Sequence, residues 1–127
     1  MADALARGLL VGGVVAVALL AAWLAPRWAA RRAARVPVDL SGIEGRIVFF
    51  SSGSCRRCDT VREQLRALNA PFTEVEYDDD ADRFGATGVG AVPFLVGRDE
   101  RGAVVARLAG AASVRRIRRL LDAAGVR

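Results

Sequence analysis

Nineteen consecutive residues without a charge, GLLVGGVVAVALLAAWLAP from Gly8 to Pro26, constrain this chain more than any other feature. At ~1.5 Å per residue, a helix of that length crosses most of a ~30 Å hydrocarbon core. A cleaved signal peptide would place its basic residues ahead of the apolar run. Here the leading segment offers Arg7 against Asp3, whereas Arg27, Arg31, Arg32 and Arg35 follow the run. The pattern predicts a retained single-pass anchor over residues 1–27. Basic residues next to a span favour the cytoplasmic side. Four after the run against one before it predict an outer N-terminus, with the rest of the chain on the cytoplasmic side of the cell membrane. Trp23 and Trp28 fall where that end of the helix would meet the membrane interface.

The segment WAARRAAR, Trp28 to Arg35, reads as a basic amphipathic continuation suited to anionic headgroups. Val36 precedes Pro37 and is expected to end the helix, because a residue before proline avoids helical dihedrals. Residues 28–45 are therefore read as a basic juxtamembrane stalk and linker. Residues 46–127 remain as one small domain, long enough to bury a single core.

The formal charge of +5 divides unevenly. Residues 1–39 carry five arginines against Asp3 and Asp39, so most of the excess is juxtamembrane. All 19 basic residues are arginine, a compositional bias more than a set of phosphate contacts, and no nucleic-acid partner is expected. Two cysteines and no histidine exclude a disulfide-dense scaffold, every Cys-His zinc site and every histidine-dependent nucleophile.

Within the domain, IVFF from Ile47 to Phe50 suits a strand buried on both faces. Cys58, Val61, Leu65 and Leu68 recur at helical spacing between charged residues, and Asn69 and Pro71 close that helix. Phe72 to Tyr77 predicts a second strand with Thr73, Val75 and Tyr77 on one face. The acidic stretch after it has no EF-hand ligand order and suits a solvated loop with one short helix opening near Asp80. Val92 to Val96 and Ala103 to Leu108 predict two further strands joined as an antiparallel hairpin. A final helix is expected to bury Val114, Ile117, Leu121 and Ala124, with Gly125 as its stop.

Both cysteines lie in SSGSCRRC, where the first strand ends and the first helix of the domain begins. A thiol at a helix N-terminus meets unpaired backbone N–H groups and the positive end of the dipole, which favour its thiolate. Arg56 and Arg57 add positive charge there. Cys55 is thus the candidate nucleophile and Cys58, one turn inward, the candidate resolving thiol, a spacing that permits a disulfide and its exchange. Val92-Pro93 stands at the start of the third strand, where proline needs an edge, a bulge or a cis bond.

Strand, CxxC, helix, strand, then TGVGAVPFLV, hairpin and final helix resemble the thioredoxin-like superfamily over residues 46–124. The resemblance implies an α/β fold with the minimal β-α-β-(α)-β-β-α core behind one transmembrane helix. It also implies that Pro93 is a cis-proline packed against the cysteine pair and that the Val92 backbone offers an edge to a substrate chain. Asp78 stands where an aspartate stands in thioredoxins. Three positions depart from that pattern: Ser54 replaces the tryptophan before the first cysteine, Phe49 the buried acid six residues before it, and Phe94 the threonine after the proline. The region after Cys58 is more similar to glutaredoxins and mycoredoxins. The whole is similar to small membrane-anchored thioredoxin- and glutaredoxin-like proteins of actinobacteria.

On that resemblance the chain is expected to be a membrane-tethered thiol–disulfide oxidoreductase. Its catalytic pair is Cys55 and Cys58, which also form its disulfide, with Ser54, Arg56, Arg57, Val92 and Pro93 in support. No cofactor or metal is implied beyond the redox-active disulfide. Its partners would be protein thiols and disulfides, with a reductase or a low-molecular-weight thiol as electron donor. Two alternatives remain open: a non-catalytic thioredoxin-like binding or assembly module, and a Cu(I)-binding CxxC module.

Overall fold

The structure, a computed structural model, describes residues 1–33, 35 and 37–127. The chain divides into two compact units, Met1–Arg32 and Ala33–Arg127.

The first unit is one helix, α1, Ala2–Ala33. It extends the uncharged run at both ends, because ADALAR before it and the alanine- and arginine-rich segment after it are strong helix formers. Pro26 lies inside α1 and supplies no N–H to the turn before it. One residue on, the Arg27 guanidinium stacks over the Trp23 ring at 3.4 Å from its centroid. Ala2–Ala29 is long and apolar enough to cross a bilayer. Its side chains are exposed along their length, among them Leu9, Val14 and Val17. Val36, the expected end of this helix, lies outside the described residues.

The second unit orders as β1 (Ile47–Ser51), α2 (Arg56–Ala67), β2 (Thr73–Glu76), α3 (Ala81–Ala86), β3 (Phe94–Arg98), β4 (Val104–Ala109) and α4 (Val114–Ala123). The sheet order is β2-β1-β3-β4. β1 runs parallel to β2, and β3 is antiparallel to both β1 and β4. Every residue of β1 is buried, as expected for a central strand covered on both faces. On one face Ile47, Phe49, Leu95 and Leu108 pack with Val61 and Leu65 of α2 and Ile117, Leu120 and Leu121 of α4. On the other, Phe50 meets Phe84 of α3 and Phe94 edge-on, at centroid distances of 5.6 and 6.1 Å.

Three helix starts are capped by the side chain before them: Cys55 for α2, Asp80 for α3 and Ser113 for α4. Helix α2 ends where Asn69 takes a φ of 51°, with Asn69 N–H donating to Arg66 O and Ala70 N–H to Leu65 O. That is the left-handed closure that asparagine tolerates.

The structure corrects several expectations. Residues 39–43, read as linker, belong to the domain: Leu40 and Ile43 are buried, and Asp39 N–H donates to Thr87 O at 2.9 Å. The Arg98 guanidinium also donates to Ile43 O at 2.6 Å, and that of Arg83 to Gly42 O at 2.8 Å. β3 starts at Phe94 and not at Val92, because Pro93 has no N–H for the ladder. β4 runs one residue later than expected. On α4 the buried arc is Ile117, Leu120, Leu121 and Ala124. Val114 follows the cap directly and is 38% exposed, while Leu120 completes the i, i+3, i+4, i+7 face. Tyr77 falls beyond the end of β2 and is half exposed.

Candidate redox-active site

The site is built where β1 hands over to α2. After Ser51 the chain turns through Ser52, Gly53 and Ser54, and Cys55 N–H donates to Ser52 O at 3.3 Å. Cys55 is extended (φ −97°, ψ 101°) and caps α2 through its sulfur, which accepts the Cys58 N–H at 3.1 Å. A helix start leaves N–H groups without intrahelical acceptors, and here a sulfur takes one of them. The same arrangement stabilises negative charge on that sulfur.

Cys55 and Cys58 are joined as a disulfide, with Cα atoms 5.2 Å apart. Their environments differ. Cys58 is fully buried within the cluster that holds Phe49, Val61 and Leu65, whereas Cys55 is half-buried at its margin. Arg56 and Arg57, expected as supporting charges, are exposed, as is Ser54. The Val92-Pro93 bond is cis, and Pro93 is buried. Val92 is half-buried against the cluster that Cys55 borders. The fold thus brings Cys55, Cys58 and Val92 to one apolar cluster, and leaves the two arginines and Ser54 in solvent.

Phe49 takes the place beneath α2 where an acid was noted as missing. It packs edge-on to Phe72 with centroids 6.0 Å apart, and the Arg62 guanidinium lies 5.8 Å from its ring centroid. In the parallel ladder Phe49 faces Glu74 of β2. Arg62 Nε donates to both Glu74 oxygens at 3.0 and 3.1 Å, and Nη1 donates to Asp59 at 2.7 Å. The fully buried Ser51 hydroxyl donates to Glu74 Oε1 at 2.7 Å. Burial acts to raise the Glu74 pKa, but the hydrogen bonds from Arg62 and Ser51 outweigh it and hold the carboxyl below its ordinary range. The hydrogen bonds to Glu74 and Asp59 raise that of Arg62 in turn. This network ties the last residue of β1 and the first two turns of α2 to β2. Sequence reading missed it, the one local signal being Asp59 three residues before Arg62.

Asp78 accepts the Gly53 N–H at 2.5 Å, so it reaches the loop that carries Cys55. Glu76 reaches the same place. A Cβ added to Gly53 would stand 3.0 Å from Asp78 Oδ2 and 3.3 Å from Glu76 Oε1.

No protein-family model matches the sequence, and no curated protein is similar to it. Solved structures are similar in fold. One described as a malarial protein superposes with a TM-score of 0.54 at 15% identity, over 60% of this chain and 91% of its own. A thio-disulfide isomerase from Thermus thermophilus superposes with a TM-score of 0.52 at 17% identity, over 66% of this chain and 81% of its own. A thioredoxin-like protein matches at 22% identity with a TM-score of 0.47, over 59% of this chain and 99% of its own. With the strand order and the disulfide at the start of α2, the fold is thioredoxin-like.

Proposed function

We propose that the protein is a membrane-tethered thiol–disulfide oxidoreductase in which Cys55 attacks and Cys58 resolves. The observation that carries this reading is the position of the Cys55 sulfur. It accepts the Cys58 N–H at the start of α2 while Cys58 is wholly enclosed. Only the outer sulfur is placed for a substrate to reach, and it is the one the helix start favours as thiolate.

From the reduced dithiol, the Cys55 thiolate attacks one sulfur of a substrate disulfide. The substrate S–S bond breaks, a mixed disulfide forms, and the departing thiolate takes up a proton. Cys58, after losing its proton, attacks Cys55 Sγ and releases the second substrate thiol. The substrate has gained two electrons, and the protein holds the Cys55–Cys58 disulfide. A reductase dithiol or two low-molecular-weight thiols return it to the dithiol form by the same exchange in reverse.

The backbone of residues 90–92 supports a polypeptide substrate: among the described residues it makes no backbone hydrogen bond. An extended chain crossing Val92 would satisfy those groups. Arg27, Arg31, Arg32 and Arg35, which follow the uncharged run, favour the cytoplasmic side for the domain, which suits a reducing role.

Turnover of a protein disulfide such as insulin by the full chain in detergent micelles, with a dithiol as donor, tests the reading. The wild type is expected to turn over and Cys55→Ser to lose all activity. Full activity in Cys55→Ser would contradict it.

A further inference from the structure

β4 stands last in the sheet order β2-β1-β3-β4, so its outer side has no strand beside it. Gly110 N–H donates to Pro93 O at 2.9 Å, which makes Gly110, Leu108 and Ala106 the residues bonded to β3. Arg107 and Ala109, of opposite parity, turn their N–H and C=O groups to the open edge. Among the described residues no loop or helix backbone meets those groups. The shift in pairing after Gly97 sets Val105 aside, so the usable edge is Ala106–Ala109. β4 holds no proline and a single charge, Arg107, so its own side chains do little to blunt that edge.

Along this edge runs a groove of about 180 Å³ lined by Ala106, Arg107, Leu108, Arg116, Arg119 and Leu120. Ala106, Leu108 and Leu120 pack on the main core cluster and form an apolar floor. Strand alternation sends the Arg107 side chain to the other face of the sheet, so its share of the groove is main chain. Arg116 and Arg119 are exposed on α4, and neither has an ion-pair partner among the described residues. Residues three apart on a helix have Cβ atoms ~5–6 Å apart. Alternate side chains on one face of a strand repeat every ~6.7 Å, so acids at every second position match the two arginines.

Charge and hydrogen bonding together narrow the occupant. A second copy laid edge to edge would set another Arg116 and Arg119 against the first pair, and like charges repel. An anionic headgroup would neutralise the arginines but offers no strand to the Arg107 backbone. An extended acidic polypeptide satisfies both.

We propose that the β4 edge is a docking site for an acidic polypeptide strand. The strand pairs with the backbone of Arg107 and Ala109 and sets carboxylates at alternate positions against Arg116 and Arg119. Cys55 and Cys58 are not in the wall of this groove, so the site is separate from the sulfur centre.

The probe is a fluorescein-labelled peptide of alternating valine and glutamate, titrated at low salt into the full chain held in phosphatidylcholine discs. Arg116→Glu/Arg119→Glu is expected to weaken binding about 10-fold or more, with the gap closing as salt rises. Arg115→Glu/Arg118→Glu makes the same change of net charge at exposed positions outside the groove, and should weaken binding much less. A peptide N-methylated at alternate residues keeps its charge but loses donors, and should also bind about 10-fold or more weakly. The Arg107 amide should exchange with deuterium more slowly when the unmethylated peptide is bound.

Equal losses in the two double variants, or undiminished binding of the N-methylated peptide, would reduce the contact to general charge attraction and overturn the proposal. Failure of the peptide to bind would also overturn it, and protection of Arg116 and Arg119 from phenylglyoxal in phosphatidylglycerol discs would then assign the groove to lipid. Protection of the Arg107 amide without peptide, growing with protein concentration, would place a second copy there and overturn it as well.

Discussion

Replacing Glu74 by glutamine perturbs the partly buried charge network that joins α2 to β2. Arg62 and Glu74 have side chains 19% and 24% exposed, so the pair is enclosed but within reach of water. Breaking a fully buried pair costs about 3–5 kcal/mol, and an exposed pair is worth about 0–1 kcal/mol. The partial exposure, and the Asp59 contact that Arg62 retains, place Glu74→Gln at about 2 kcal/mol. The sign of its pH dependence follows from the lowered Glu74 pKa. The stabilisation is fully present above the unfolded glutamate value of ~4.3 and is lost as the pH falls through the lower folded value. The gap between wild type and variant should therefore be full at pH 7 and close in acid. The assay is urea unfolding of the full chain in micelles, followed by far-UV circular dichroism, because Trp23 and Trp28 both lie in α1 and the domain holds no tryptophan. The double variant Arg62→Met/Glu74→Leu should recover most of the loss. A single-variant cost below about 0.5 kcal/mol, or a gap independent of pH, would refute the reasoning.

Other perturbations read other parts of the account. Phe49→Ala removes a wholly buried ring and should cost about 3–5 kcal/mol in the same unfolding assay. Val114→Lys, at a position 38% exposed, should change stability by less than about 0.5 kcal/mol, whereas Ile117→Ala should cost about 2–5 kcal/mol. The helix-start hydrogen bond to Cys55 favours the thiolate of the reduced form, so equilibration with glutathione should give a potential less negative than about −270 mV. In intact cells a membrane-impermeant alkylating reagent should leave Cys55 unmodified until the membrane is opened.

What was legible in the sequence was local. The IVFF run, the helical spacing after Cys58 and the proline before the third strand each depend on a few neighbouring residues, and the structure has a strand, a helix and a cis bond there. Asp80 as the opening of a short helix is local in the same way. What was missed depends on distant pairings. Glu74 reads as one more strand acid until the register sets it beside Phe49 and under Arg62, 12 residues away in sequence. Leu40 and Ile43 look like linker residues until Thr87 and Arg98 fix the backbone around them. Val114 and Leu120 were exchanged because the cap at Ser113 sets the phase of α4, and periodicity alone does not place that cap. Arg56 and Arg57 were expected beside the sulfurs, but the first turn of α2 turns both toward solvent.

The central claim is that the two cysteines have unequal roles, with Cys55 attacking and Cys58 releasing. The most direct measurement is covalent trapping. The Cys58→Ser chain, reduced and mixed with a disulfide-bearing polypeptide, should accumulate a stable mixed disulfide through Cys55, identifiable by mass spectrometry after non-reducing separation and proteolysis. The Cys55→Ser chain should trap nothing. Equal trapping by both variants, or trapping through Cys58 alone, would contradict the account.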